Sequence, residues 1–328
     1  SLLIKNREGR PIFLKTNDLC DKGGVNARIQ ASVLNLYDAA RLKTPLANGE
    51  ESTWANVDAS IVKGLKVAKA AGKQVVLLSS SIISPSTKAV IDTFAAKYNA
   101  KHVIYDALSV SAMLDANKES FGVRVLPTYH FDKADVVVSF AADFLGDWLD
   151  AGHGKDYATK RNPNAATMSR HYQFESNLSM TGANADYRTP VKASEMGVAL
   201  VNLYNLLAKK AGATTVKVAT SDYSTQIQKA ANDLWKAKGK SLVVAGGNDK
   251  NIHLVVNAIN DLLSNNGATI DFAKRSNLKQ GNDADVATLV NDMKAGKVGA
   301  LIAYNANPVY NLAEGAAFAE ALSKVDTS

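Results

Sequence analysis

Short apolar runs alternate with amphipathic segments along most of the chain. The run 73–81, KQVVLLSSS, is apolar through its centre, and the segment 84–99 that follows has apolar residues at helical spacing. Ser84 is the expected N-cap of that helix and Pro85 its first residue. Because strands that are apolar along their length are covered on both faces, this alternation predicts an α/β fold with parallel, doubly wound sheets.

The same alternation returns in the second half of the chain. The predicted strands are 73–81, 102–107, 134–144, 241–247 and 298–305, and the predicted helices are 84–99, 109–122, 224–238, 249–265, 283–297 and 311–325. A polar region, 146–192, lies between the two halves and is rich in Asn, Asp, Gly, Tyr and Arg. Since long polar stretches inside compact domains usually carry function, we interpret it as one long polar loop and a candidate docking surface.

The composition limits the possible functions. A length of 328 residues favours two domains of ~150 residues each, and a single cysteine excludes a disulfide, a zinc site or an iron–sulfur site built from cysteines of this chain alone. The net charge is +7, but the lysines are spread over helix-like segments, so we expect a solvated basic surface and no nucleic-acid binding. No apolar run approaches the ~20 residues of a membrane span.

The chain opens inside a strand-like run and without methionine, which suggests a fragment or a processed chain.

Common catalytic motifs are absent from the sequence. It contains no G-x-S-x-G, H-E-x-x-H, G-x-x-x-x-G-K-[ST] or G-x-G-x-x-G motif, and its five histidines lack the spacing of metal ligands. The absence of these motifs argues against a hydrolase site, a P-loop and a metal site.

Small or polar loops after predicted strands are the candidate binding positions. Gly246 and Gly247 follow one strand and Asn305 and Asn307 another, and we expect them to form a crevice in one sheet where a nucleotide could bind. Asp143 follows a third strand, at the edge where parallel sheets bind ligands. Each position has an ordinary alternative, since most strand-to-helix turns look like this and an Asp is common at a helix start.

The N-terminal region carries a family likeness. The run REGRPIFLKTNDLCDKGGVNARIQASVLNLYDAARLKTPLANG resembles the segment of the molybdopterin oxidoreductases that follows their N-terminal iron–sulfur motif. The matching positions are Gly9, Pro11, Ile12, Cys20, Lys22, Gly23, Tyr37, Asp38, Arg41, Leu42, Pro45 and Trp54.

Further patches follow in the family's order and cover nearly the whole chain. They are ADVVVSFAADFLG, SEMGVALVNLYNLL and NDMKAGKVGALIAYNANPVYN. Two more, VVSFAADFLGDWL and FESNLSMTGANAD, are similar to the molybdopterin-like domain of the iron–sulfur subunit of alternative complex III, a membrane assembly that oxidises quinol.

The resemblance implies two Rossmann-like α/β domains, one inserted in the other. We expect 1–55 to be an extended lead-in, 56–98 plus 195–328 the interrupted domain, and 99–194 the smaller inserted domain. It also implies a peripheral place on the periplasmic side of a membrane, partner subunits of a redox complex, and a C-terminal ferredoxin-like domain that carries the clusters outside this chain.

The family uses molybdopterin guanine dinucleotide and iron–sulfur clusters, but this sequence departs from the family at the corresponding positions. Asp106 falls near the position of the metal ligand, with capping of the next helix as the alternative. Ala141 and Asp143 replace a glycine-containing cofactor loop, and an Asp repels phosphate. Glu175 stands at the guanine-reading position, but no arginine follows it. Cys20 stands at a cluster-ligand position with no other cysteine to share a cluster, so we expect a relic and an inert thiol.

These departures argue against a tightly bound cofactor. Together with the resemblance, which implies an iron–sulfur-binding subunit of a respiratory quinol-oxidising complex, they lead us to expect a cofactor-free scaffold for electron transfer. We expect no cofactor in this chain and no catalysis by this part alone. Two alternatives stay open. The chain could be part of a true molybdopterin-dependent oxidoreductase that binds the dinucleotide with other domains, or a nucleotide-binding module that uses the crevice at Gly246, Gly247, Asn305 and Asn307.

Overall fold

The structure is a computed structural model, and it describes residues 2–19 and 24–328. The strands are β1 (Leu2–Arg7), β2 (Arg10–Thr16), β3 (Leu46–Ala47), β4 (Glu50–Glu51), β5 (Gln74–Ser79), β6 (Lys101–Ile104), β7 (Leu126–Tyr129), β8 (Val136–Phe140), β9 (Arg170–Glu175), β10 (Tyr187–Pro190), β11 (Ser241–Ala245), β12 (Ile270–Ser276) and β13 (Val298–Tyr304). The α-helices are α1 (Ala27–Ala31), α2 (Trp54–Ala70), α3 (Pro85–Tyr98), α4 (Ser111–Phe121), α5 (His153–Thr159), α6 (Met180–Ala183), α7 (Met196–Ala211), α8 (Ser224–Lys236), α9 (Lys250–Leu262), α10 (Asp283–Lys294), α11 (Pro308–Asn311) and α12 (Gly315–Leu322).

The chain divides into two compact units. Unit 1 comprises Ser1–Tyr37 and Ala112–Ser276, and unit 2 comprises Asp38–Ser111 and Asn277–Ser328. Among the described residues, no helix combines the length and the apolar character needed to cross a membrane.

Unit 1 is built on a four-stranded parallel sheet in the order β10-β9-β8-β11. Successive side chains of a strand point to opposite faces, so each strand supplies two cores. Val138 and Val243 pack in a core with buried residues of α7, α8 and α9, whereas Val137 and Leu242 pack on the other face with Phe144. Both faces are therefore covered, as expected for strands that are apolar along their length.

Unit 2 repeats this arrangement on a parallel sheet in the order β13-β5-β6. Val76 and Leu78 pack with buried residues of α10 and α12, and Val75 packs on the opposite face with Leu65 of α2. Helix α3 begins where the sequence predicts, because the Ser84 side chain accepts a hydrogen bond from the Thr87 amide at 3.3 Å. The predicted α/β fold with doubly wound parallel sheets is confirmed.

The boundaries of the two units differ from the predicted domains. The prediction joined 195–328 to 56–98 and treated 99–194 as the insert, whereas 195–276 lies in unit 1 together with 112–194. The physical reason is strand pairing, since β11 pairs along its length with β8 and belongs to that sheet.

Residues 146–192 are not one long polar loop, contrary to the prediction. They contain α5, α6 and two strands of the unit 1 sheet, β9 and β10. The hydrophobic pattern misses β9 because three buried residues on one of its faces, His171, Gln173 and Glu175, are polar. Glu175 therefore lies at the end of an inner strand of the sheet.

Candidate functional site

The carboxyl edge of the unit 1 sheet brings together five of the predicted binding positions. Ala141 and Asp143 follow β8, Glu175 ends β9, and Gly246 and Gly247 follow β11. Since β9, β8 and β11 are neighbours, these residues meet at one edge, which is where parallel sheets bind ligands.

Glu175 is buried, and protein donors occupy its carboxylate. Oε1 accepts from Arg188 Nε at 2.6 Å and from the Ser179 amide at 3.2 Å. Oε2 accepts from Ser179 Oγ at 2.6 Å and from Gln173 Nε2 at 3.1 Å. Burial alone would raise the pKa of Glu175, but the hydrogen bonds from Ser179, Arg188 and Gln173 hold it below its usual value. A carboxylate has about four acceptor directions, so this one is saturated and charged.

The ion pair with Arg188 was not predicted from the sequence. Arg188 lies on β10, beside β9, and the two side chains are 26% and 3% exposed. The family pattern has an arginine close to this position in the chain, whereas here the arginine comes from the neighbouring strand. Only the pairing of β9 with β10 could have identified it.

A hydrogen-bonded ladder continues from Glu175 along the same face of β9. Gln173 donates from Nε2 to Glu175, which leaves Gln173 Oε1 to face His171 Nε2 at 3.2 Å. His171 Nε2 therefore carries the proton, and its Nδ1 lies 3.3 Å from the Tyr157 hydroxyl oxygen. Burial lowers the pKa of His171 to about 4, so the imidazole is neutral at neutral pH.

Asp143 is also occupied by protein donors. Its Oδ1 accepts from the Thr181 amide at 3.0 Å and from Thr181 Oγ1 at 2.7 Å. The alternative prediction, an acidic residue at the start of the next helix, is wrong for Asp143. Residues 144–149 form turns and bends, and α5 begins only at His153. The carboxylate instead fixes the first turn of α6.

Ala141 and Gly246 form a close backbone contact between β8 and β11. Ala141 is exposed and has a φ of +55°, in the left-handed region that favours glycine. A Cβ on Gly246 would collide with the Ala141 carbonyl oxygen. Packing of the strand ends thus accounts for the glycine at 246.

Gly247 has a φ of +83° and open space around it, and its carbonyl oxygen lies 3.0 Å from His253 Nε2. The turn therefore needs this glycine for its backbone conformation, and the histidine ties the turn to α9.

The remaining candidates lie in unit 2. Asp106 is 6% exposed, and its carboxylate accepts from Ser81 Oγ at 2.8 Å and from the amides of Ser81, Gln280 and Gly281 at 3.2, 3.1 and 2.9 Å. It joins the loops after β5 and β6 to the segment before α10. The predicted alternative, capping of the helix near Ser109, differs from these contacts.

Asn305 and Asn307 lie in the exposed loop after β13. Asn305 has a φ of +50°, and the Asn307 side chain accepts from the Tyr310 amide at 3.3 Å as the N-cap of α11. They do not share a sheet with Gly246 and Gly247, contrary to the prediction, because β13 and β11 belong to different sheets.

Cys20 lies outside the described residues. Within residues 2–19 and 24–328, no group of three or more His, Cys, Asp or Glu side chains is arranged to hold a metal ion.

Comparison with known proteins gives one relative in sequence and a likeness in fold. No family model matches the chain. The menaquinone reductase molybdopterin-binding-like subunit of Nitratidesulfovibrio vulgaris is 24% identical over 364 residues, which cover 97% of this chain and 52% of the relative. Acetylene hydratase from Pelobacter acetylenicus matches with a TM-score of 0.72 at 12% identity, over 99% of this chain and 58% of that one. The chain is molybdopterin oxidoreductase-like.

This molybdopterin oxidoreductase-like chain spans about half the length of the curated relative it matches, at 52%. The formyltransferase/hydrolase complex from Methylorubrum extorquens gives a weaker match, with a TM-score of 0.49 at 13% identity over 76% of this chain and 73% of that one, too low to indicate a shared fold.

The residues at the position to which the resemblance assigns guanine recognition do not fit a molybdopterin guanine dinucleotide. Glu175 has no acceptor direction left for a guanine edge, since Arg188, Ser179 and Gln173 use them. A Cβ on Gly182 would collide with Glu175 Oε1, so α6 packs directly on the carboxylate. Binding a guanine here would require this buried network to open, at the cost of leaving polar groups unpaired.

Proposed function

We propose that this chain is a cofactor-free scaffold in a quinone-linked redox complex at a membrane. It is the molybdopterin oxidoreductase-like part of an iron–sulfur-binding subunit. Its role is to hold a cluster-bearing domain and partner subunits in place for electron transfer.

The saturation of Glu175 is the observation that carries this proposal. At the position where the resemblance places recognition of the guanine, the carboxylate is paired with Arg188 and bonded to Ser179 and Gln173. Asp106, near the position of the metal ligand, likewise accepts four hydrogen bonds from protein groups. Internal partners at both positions support a scaffold whose fold is held by its own side chains.

The relative supports the link to a quinone. Its name describes a subunit of a menaquinone reductase, whereas the resemblance found in the sequence is to a complex that oxidises quinol. Electron exchange with a quinone is common to both, and we propose it for the complex that contains this chain.

We propose that the electron carriers lie outside this chain. One cysteine cannot hold a cluster, so the clusters belong to a C-terminal ferredoxin-like domain or to partner subunits. We place the assembly on the periplasmic side of the membrane, with this chain bound peripherally to its partners.

Purification of the tagged, full-length gene product from native membranes tests the proposal. We expect partner subunits to co-purify, and we expect the preparation to transfer electrons to or from a quinone. A protein that purifies alone, without quinone-dependent activity, would contradict the assignment to such a complex.

Guanine nucleotides test the nucleotide-binding alternative separately. A ligand that binds only the folded state must raise its apparent stability. We expect no rise in melting temperature with millimolar GDP or GTP, and a clear rise would favour the nucleotide-binding module.

A further inference from the structure

An open depression of about 470 Å³ lies at the amino edge of the unit 1 sheet, at the other end of the strands from Glu175. Three neighbouring strands begin there, since Lys240 precedes β11, Asp135 precedes β8 and Arg170 begins β9. The Asp135 amide donates to the Lys240 carbonyl oxygen at 2.7 Å, and the Arg170 amide donates to the Asp135 carbonyl oxygen at 2.9 Å. The side chains around this amino-edge depression therefore stand on a fixed backbone.

Positive charge exceeds negative charge in the lining of the depression. The charged side chains that line it are those of Asp135, Asp233, Arg170, Lys236, Lys238 and Lys240. Both carboxylates already have partners, because Arg170 Nη1 donates to Asp233 Oδ2 at 2.8 Å and Lys160 Nζ donates to Asp135 Oδ1 at 3.0 Å. The acidic groups therefore leave the charge of the three lysines uncompensated.

Lys236, Lys238 and Lys240 are exposed, and among the described residues none of their ammonium groups forms an ion pair with a carboxylate. Lys238 Nζ lies 5.2 Å from the centroid of the Trp235 ring, a contact that positions the charge without neutralising it. Lys236 is close enough to contribute to the lowered pKa of Asp233. The three lysines thus form one positive surface beside two ion pairs that are already complete.

The surroundings of the lysines favour the carboxylates of a protein over other anions. A nucleic acid would bring a row of phosphates close to Asp135 and Asp233, and the described lining offers no aromatic ring on which a base could stack. A membrane surface would need several exposed apolar side chains, whereas the lining supplies one large one, Met168, which is 51% exposed. A second copy of this chain carries the same net charge of +7 and is repelled. Separate carboxylates on a peptide can approach each lysine individually.

We propose that the amino-edge depression binds an acidic segment of a partner protein. Carboxylates of the segment pair with Lys236, Lys238 and Lys240, and an apolar side chain of the segment covers Met168. That the partner is a subunit of a redox complex rests on the proposed function, whereas recognition of acidic residues by the lysines does not.

Two peptides of equal length test the requirement for charge. Fluorescein-labelled EEDLEED carries carboxylates, and QQNLQQN carries amides in their place. Binding to the full-length gene product is measured by fluorescence anisotropy. At low ionic strength we expect the acidic peptide to bind about tenfold more tightly or better, and we expect its affinity to fall as salt is added, because salt screens exposed charges.

Two triple variants locate the site. The edge variant combines Lys236→Gln, Lys238→Gln and Lys240→Gln, and the control variant combines Lys63→Gln, Lys66→Gln and Lys69→Gln on α2. All six lysines are exposed, so both variants should fold normally, and both lose the same net charge. We expect the edge variant to bind the acidic peptide about tenfold more weakly than the wild type, and the control variant to bind it within about twofold of the wild type.

Cross-linking of the purified complex tests whether the partner is another subunit. A carbodiimide joins lysine amines to adjacent carboxylates, and we expect links from Lys236, Lys238 or Lys240 to Asp or Glu residues of another subunit. A complex that assembles without such links, and that keeps its composition in the edge variant, would contradict the proposal. If the gene product purifies alone, the proposed function fails, whereas the peptide measurement still decides whether the depression binds acidic segments.

Three further results would overturn the proposal. They are equal affinity of the two peptides for the wild-type protein, equal loss of affinity in the edge and control variants, and binding of single-stranded DNA or phosphatidylserine vesicles that is tighter than that of the acidic peptide and is lost in the edge variant.

Discussion

Arg188 on β10 donates a hydrogen bond of 2.6 Å from its Nε to Oε1 of Glu175 on the neighbouring strand β9. The pair joins two strands at the edge of the unit 1 sheet, where the family resemblance places the recognition of guanine. A buried charge destabilises the folded state when its partner is removed. The pair therefore stabilises the sheet edge, and it also occupies the carboxylate that would otherwise be available to a guanine.

Removal of Arg188 should destabilise the protein strongly. We expect Arg188→Met to lower the free energy of unfolding by about 2–4 kcal/mol, because it leaves the carboxylate of Glu175 buried without its counter-ion. Urea denaturation measures the change.

Arg170 on β9 provides the matched control, since it pairs with Asp233 but is 50% exposed. Arg170→Met should cost less than about 1 kcal/mol, because solvent reaches this arginine and Asp233 keeps the hydrogen bond from the Tyr172 hydroxyl. Equal effects of the two changes would show that the Glu175–Arg188 pair has no special structural role.

His171 should make the protein less stable in mild acid. Its pKa is about 4 in the folded state, below the ~6.5 of an unperturbed histidine, so between these values the unfolded state binds the extra proton. The free energy of unfolding should therefore fall as pH decreases from about 6.5 to about 4, by about 3 kcal/mol in total. Urea denaturation across this range should show a flatter profile for His171→Gln.

Glu175 acts in a more acidic range. Its folded-state pKa is lowered, so its contribution is present above the unfolded pKa of ~4.3 and is lost as pH falls through the folded value. The contributions of His171 and Glu175 can therefore be separated by pH range.

An NMR titration of the five histidines, with His171 assigned from the variant, checks the pKa of His171 directly. A midpoint near 6.5 for His171 would contradict the buried ladder.

Gly246 should tolerate a side chain less well than Gly247. A Cβ at 246 meets the Ala141 backbone, whereas a Cβ at 247 meets open space and only the cost of a φ of +83° applies. We expect Gly246→Ala to cost about 2–3 kcal/mol and Gly247→Ala about 1 kcal/mol, by thermal or urea unfolding. The reverse order would mean that the packing of β8 against β11 does not explain the glycine.

Asp106 should act as a structural acceptor. Asp106→Asn turns an amide group toward donors that now face a carboxylate oxygen, and we expect a loss of about 2–3 kcal/mol. Asp92 in the same unit pairs with Lys88 at an exposed i,i+4 position, so Asp92→Asn should cost less than about 0.5 kcal/mol. If Asp106→Asn were as mild as its control, the network around Asp106 would not stabilise unit 2.

The sequence predicts the apolar strands and their helices well, and the polar strands poorly. β5, β8, β11 and β13 are predicted because each buries aliphatic side chains on both faces of a parallel sheet. β9 is missed because polar side chains in it satisfy one another, as His171 and Gln173 do.

The sequence predicts which residues follow the strands better than it predicts the contacts of their side chains. The resemblance and the rule of the carboxyl edge point to Glu175 and Asp143, and the structure places both at that edge. Their partners, Arg188 and Thr181, are 13 and 38 residues away in the chain. Such contacts depend on which strands pair and where a short helix packs, and local patterns do not encode either.

The molybdenum and tungsten content of the protein, purified from its native membranes with its partner subunits, tests the central claim most directly. The account predicts far less than one atom of either metal per chain, and no pterin released on oxidation. About one atom of molybdenum or tungsten per chain, together with a released pterin, would contradict it.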